Sequence, residues 1–166
     1  GGTLTSGYIP KATGANSWGN SIIFDNGTNV GIGTTTPSAY CKLDVNGDTN
    51  ITGTLTATVK SFIIDHPTKS NKKLQYGVLE GPEHSVYFRG KLKGTNKIIL
   101  PDYWFALVNE ETITVNITPI GDKQNIWVVT TNAREIILES ETEINCFYTV
   151  FAERKDIDKL VTEFDK

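Results

Sequence analysis

Basic residues are nearly missing from the first third of this sequence: up to Thr58 the only ones are Lys11 and Lys42. Over all 166 residues, 16 Lys and Arg stand against 19 Asp and Glu, with a sequence pI near 5.4. No basic stripe forms, so the electrostatic footprint of a nucleic-acid binder is absent. No apolar run approaches the roughly 18–20 residues of a membrane span, so no membrane insertion is expected. The N-terminal stretch has none of the features of a signal peptide. It opens Gly1-Gly2 without Met, which raises the expectation of an upstream portion. Only two cysteines occur, Cys41 and Cys146, in differently composed regions and without a CxxC pattern. A disulfide framework is not supported, and two reduced thiols, as in a protein assembled in a cytoplasm, are expected.

Hydrophobic side chains are also scarce, at 38% of residues, while Gly and Thr are abundant. A single chain of this kind has difficulty burying a core along its whole length. Association between chains removes apolar surface from water just as folding does. The scarcity is uneven. Up to Thr58 the acidic residues are only Asp25, Asp44 and Asp48, and every other acidic residue lies later. A domain boundary is therefore expected near Val59, with residues 1–58 and 59–166 as the two parts.

In the first part short apolar pieces alternate with turn chemistry. Ser21-Ile22-Ile23-Phe24-Asp25 reads as a strand, and Asn26-Gly27 as a turn. Val30-Gly31-Ile32-Gly33 follows, and Thr34-Thr35-Thr36-Pro37 breaks the pattern. Lys42-Leu43-Asp44-Val45 alternates again before the turn Asn46-Gly47-Asp48, and β-branched residues continue through Thr56. Such strands are too short to close a core alone, and a lone hairpin is marginal in water. Three copies wound about one axis would bury the apolar residues, pair the open edges and place Gly where backbones crowd. Ile22, Phe24, Val30, Ile32, Leu43, Val45, Ile51 and Leu55 are the candidates for that trimer core. The rival reading is a flexible Gly/Thr linker, against which the regular placement of apolar residues speaks.

The second part reads as an antiparallel β-sandwich-like domain. Strand-like runs begin with Val59-Lys60-Ser61-Phe62-Ile63-Ile64-Asp65 and end with Ile144-Asn145-Cys146-Phe147-Tyr148-Thr149-Val150-Phe151, with turn residues between them. Thr112-Ile113-Thr114-Val115-Asn116-Ile117-Thr118 alternates as a half-buried strand does. At the end, Ile157, Leu160, Val161 and Phe164 share one helical face, and the period favours a short C-terminal helix.

Little catalytic chemistry is visible. Glu80-Gly81-Pro82-Glu83-His84 places two carboxylates and an imidazole together. Close neighbours around a Gly-Pro turn seldom converge, however, so a structural turn is the stronger reading. His66 is the only other histidine, which leaves too few ligands for a His-rich metal site in one copy. Gly31-Ile32-Gly33 lacks the third glycine and the helix start that a dinucleotide cradle needs. Neither cysteine sits in a nucleophile motif, and no GxSxG elbow occurs. The chain is expected not to be an enzyme and to need no cofactor or metal. Tyr103 and Trp104, in Pro101-Asp102-Tyr103-Trp104-Phe105, are candidate surface-glycan contacts, with packing as the alternative.

These residues resemble a family. Gly7-Tyr8-Ile9-Pro10-Lys11, Val30-Gly31-Ile32-Gly33-Thr34-Thr35-Thr36-Pro37 and Lys42-Leu43-Asp44-Val45-Asn46-Gly47 are similar to the shaft repeats of bacteriophage tail fibres and related trimeric virion proteins. Ser61-Phe62-Ile63-Ile64-Asp65-His66-Pro67, Leu79-Glu80-Gly81-Pro82-Glu83-His84 and Leu100-Pro101-Asp102-Tyr103-Trp104 resemble the terminal domain of structural proteins of tailed phages. The Ser-Asp pair with a downstream lysine that marks a self-cleaving chaperone domain is absent, so autoproteolysis is not carried over.

The resemblance implies an all-β homotrimer, an intertwined shaft ending in a β head, located in the virion and assembled in the host cytoplasm. Its implied partners are other copies of itself, other tail or baseplate proteins and a host surface polysaccharide. Two alternatives remain: an architectural collar, baseplate or capsid-attached fibre without receptor contact, and a depolymerising tailspike. The tailspike needs a carboxylate pair across a groove, and no pair is marked out among Glu80, Glu83, Asp102, Glu110 and Glu111.

Overall fold

The computed structural model describes residues 3–165, and the fold is all-β. The chain divides into two compact units, which meet between Thr56 and Ala57.

The first unit is a four-stranded sheet. Strand β1 (Tyr8–Gly14) forms an antiparallel hairpin with β2 (Ser17–Asp25), which pairs antiparallel with β3 (Val30–Ile32). β3 pairs in parallel with β4 (Leu43–Val45), so the order is β1-β2-β3-β4 with β1 and β4 at the edges. The Asn26-Gly27 turn is held by side chains. Asp25 Oδ1 accepts the Gly27 amide (2.7 Å), and Asn26 Oδ1 accepts the amides of Thr28 (2.9 Å) and Asn29 (2.8 Å). Gly27 takes a φ of 86°, a region that L side chains rarely enter.

The parallel crossover from β3 to β4 is tied down by polar contacts. Asn29 is buried and donates from Nδ2 to the Ser38 carbonyl (3.0 Å), while the Ser38 amide donates to Asp44 Oδ2 (2.8 Å). Gly31 is required for close approach: a Cβ there would lie 2.4 Å from the Thr34 carbonyl oxygen. The β-branched run after Gly47 forms no strand, and residues 49–60 are exposed throughout.

The second unit holds three antiparallel sheets. A hairpin joins β5 (Ser61–Asp65) and β6 (Lys73–Gly77). One three-stranded sheet has the order β7-β12-β9, from Ser85–Lys93, Asn145–Glu153 and Thr114–Pro119. The other has the order β10-β11-β8, from Ile126–Thr131, Glu135–Ser140 and Lys97–Ile99. Alternation decides what each strand buries. Cys146, Val150 and Ala152 on β12, Val86 and Leu92 on β7, and Ile136 and Leu138 on β11 enter one core. The second three-stranded sheet adds Ile98 of β8, which pairs with Ile136.

Two departures from the sequence reading concern helices. Among the described residues the one α-helix, α1 (Trp104–Leu107), was not expected; it lies in the aromatic cluster after Pro101 and a 3-10 turn, Glu110–Thr112, follows it. Its first turn begins where the Trp104 amide donates to the Pro101 carbonyl (2.9 Å). The expected C-terminal helix does not form: residues 157–165 are neither helix nor strand. Its apolar stripe has nothing to pack on, with Val161 68% and Phe164 82% exposed. A stretch that short is marginal as an isolated helix, because packing supplies most helical stability.

Candidate functional site

In a sheet, directly paired residues share a face, so the register sorts the trimer-core candidates. Ile23 pairs with Ile32 and Ile32 with Val45, while Val30 pairs with Leu43. These five aliphatic side chains therefore line one face of β2-β3-β4. Ile22 and Phe24 fall on the opposite face. Phe24 packs edge-on against Tyr8, with centroids 5.3 Å apart, and its ring occupies the space where a Cβ on Gly7 would stand. Ile51 and Leu55 lie in the exposed segment after β4. Period 2 places Ile23 on the face opposite Ile22 and Phe24, and the register decides that Ile23 is the one beside Ile32.

The five-residue face is only partly covered within the chain. Leu43 is exposed and the other four are half-buried, and every buried hydrophobic residue among the described residues belongs to the second unit. The first unit is thus an ordered sheet whose buried residues are Asn29, Gly31 and Pro37. Its edge strands β1 and β4 leave backbone groups free to pair.

The candidate glycan contacts separate differently. Trp104 is 0% exposed and is not a surface residue. Its indole Nε1 donates to Tyr76 Oη (3.2 Å), and its ring meets Phe88 edge-on at 6.3 Å. α1 turns this side chain into the core, which the sequence cluster alone did not reveal. Tyr103 is half-buried, shares a hydrogen bond with Tyr76 (2.8 Å between hydroxyl oxygens) and packs against His66 at 5.1 Å. Burial, then the Tyr76 hydroxyl, raises its phenol above the ordinary range. Tyr76 also stacks on Phe62 at 5.6 Å, and the Arg154 guanidinium lies 4.1 Å from the Phe62 centroid. These contacts dock the β5-β6 hairpin onto the core.

The Glu80–His84 segment does not converge. Glu80 pairs with Lys60, which lowers its carboxyl pKa, while Glu83 accepts from the Ser85 hydroxyl. His66 accepts the Thr68 amide at Nδ1 (3.2 Å). No group of three His, Cys, Asp or Glu among the described residues is placed to hold a metal ion.

Burial pushes up the Cys146 thiol, and burial together with Cys146 pushes up the Tyr148 phenol. In the unfolded chain these groups lose their protons near the ordinary values, about 8.5 for a thiol and 10 for a phenol. Above those values the folded chain holds protons that the unfolded chain has released, so stability falls as pH rises. The melting temperature of the second unit is expected to drop steadily from pH 8.5 to 11. Near-ultraviolet circular dichroism checks this, and a flat profile would contradict it.

Compared with known proteins, the chain matches no family model, no curated protein and no solved structure.

Proposed function

We propose that the chain is a structural component of a tailed-phage virion, a homotrimeric tail fibre whose second unit serves as a head in host-surface adhesion. The observation that carries this reading is a sheet without a fully buried hydrophobic residue, whose aliphatic side chains Ile23, Val30, Ile32, Leu43 and Val45 share one partly covered face. Full burial of such a side chain is worth about 1.5–3 kcal/mol, and association gains the part still exposed, largest at Leu43. Pairing of the open β1 and β4 edges with neighbouring copies adds to this. The family resemblance of the Val30–Pro37 and Lys42–Gly47 stretches selects a fibre shaft among such assemblies. Three identical heads then engage repeated surface groups together, and avidity raises weak single-site binding by about 10²–10⁴.

Light scattering on the full chain tests the assembly. The expected mass is three times 18.3 kDa, with a trimer band that survives unheated SDS. A well-behaved monomer overturns the shaft and leaves the second unit as an independent domain. Adsorption of the trimer to host cells then separates adhesion from a purely architectural part.

A further inference from the structure

The outer face of β7-β12-β9 has a composition unlike the rest of the surface. Three cations, Arg89, Lys91 and Lys93, stand at alternate positions of β7 and project from the side opposite the buried Val86 and Leu92. At a strand rise of about 3.4 Å per residue they are spaced about 7 Å apart. The six ion pairs among the described residues engage Lys60, Lys69, Lys73, Lys97, Arg154 and Lys159, and none engages this row. The neighbouring strand supplies aromatic rings. Phe147 pairs with Lys91 and is 54% exposed, while Phe151 pairs with Tyr87, their rings 6.0 Å apart. On the other side β9 presents hydroxyls and an amide: Thr118 is opposite Phe147, and Asn116 is opposite Thr149. The carboxylate in these rows, Glu153, sits at the far end of β12, buried and paired with Lys159 at 3.2 Å. Arg89 and Lys91, with their cross-strand partners Thr149 and Phe147, line a shallow depression of about 390 Å³ together with Gly90 and Tyr148.

We propose that this face binds an acidic polysaccharide, with sugar carboxylates on Arg89 and Lys91 and a sugar ring against Phe147. Charge selects the class: a row of unpaired cations on a chain of net charge −3 fits an anionic ligand and disfavours a second copy of the same row. The exposed aromatic ring and the β9 hydroxyls select a carbohydrate, because a sugar presents an apolar ring face together with hydroxyl groups. Charge-assisted hydrogen bonds to guanidinium and ammonium groups are the stronger kind, so the carboxylates hold the register along β7. The inference rests on the adhesion reading for the source of the ligand, but the face lies within one chain.

The test is titration calorimetry of the full chain with a tetramer of galacturonate, short enough for one head, and with maltotetraose as the neutral counterpart. The uronate is expected to bind and the neutral sugar not. Arg89→Gln with Lys91→Gln is expected to weaken binding at least about tenfold, and Phe147→Ala by a similar factor. Lys72→Gln with Lys123→Gln removes the same charge elsewhere on the second unit and is expected to leave binding unchanged. Circular dichroism confirms that each variant is folded. No binding by the parent chain overturns the proposal, as does equal weakening by the control pair or indifference to Phe147→Ala, either of which would indicate general ion exchange. Light scattering of the same samples adds one further outcome: a mass that falls only in the Arg89/Lys91 variant identifies this face as a contact between copies and overturns the ligand. A monomer that still binds sinks the trimer alone, and a trimer that does not bind sinks this face alone.

Discussion

Replacing Ile32 and Val45 together with aspartate is expected to convert the proposed trimer to monomers of 18.3 kDa while the second unit keeps its fold. Both side chains sit in the wholly aliphatic row Ile23-Ile32-Val45, beside the row Asp25-Val30-Leu43 on the same face. The double change removes two of the five aliphatic side chains of that face. It also places two carboxylates where the neighbouring copies would enclose them, and an uncompensated charge in an apolar interface costs several kcal/mol more. The loss exceeds what remains of the association energy, so the expected effect is complete dissociation at micromolar concentration. Light scattering reads the mass, and near-ultraviolet circular dichroism reads the second unit. The matched pair Ile22→Asp and Leu55→Asp is informative, because Ile22 lies on the other face and Leu55 lies beyond β4. If those changes dissociate the chain and Ile32/Val45 do not, the buried surface is not the one described.

Trp104→Ala is expected to have the largest effect on the second unit. The side chain is among the largest of the fully buried ones, and it bridges the hairpin and the core through Tyr76 and Phe88. Removing a buried Trp costs about 3–5 kcal/mol in transfer and cavity terms. A stability of about 5–15 kcal/mol leaves little after that, so chemical denaturation midpoints are expected to fall steeply. Trp104→Phe keeps much of the volume and loses only the N–H donor, so its expected loss is about 1 kcal/mol. Equal losses in the two variants would show that the hydrogen bond to Tyr76, rather than packing, dominates.

The β class and the turn at Asn26-Gly27 were legible because period-2 alternation and a Gly-requiring turn are local properties. The second unit was legible for the same reason: Thr114-Val115-Asn116-Ile117-Thr118 alternates, and its Val115 and Ile117 pack against the core. What failed depends on neighbours distant in sequence. The tail's 157–164 stripe has a helical period, but whether it forms a helix depends on a surface to pack on. Trp104 lies in an aromatic run that suits either a surface platform or a core, and only α1 decides which way the ring points. Ile22 and Ile23 are adjacent and chemically alike, so assigning the face required knowing that Ile23, not Ile22, is opposite Ile32. The contact of Gly31 with the Thr34 carbonyl was likewise invisible, since it arises from the parallel crossover.

The three tryptophans differ in a way that makes the molecule its own optical reporter. Trp104 is sealed beside a phenol hydroxyl, whereas Trp18, 54% exposed, and Trp127, 42% exposed, are open to solvent, one in each unit. A soluble quencher such as acrylamide therefore reaches two indoles at once and the third only when the second unit opens. The unquenched blue-shifted emission belongs to Trp104 and follows the integrity of the second unit. One fluorescence titration thus follows the opening of the second unit through Trp104, without a label.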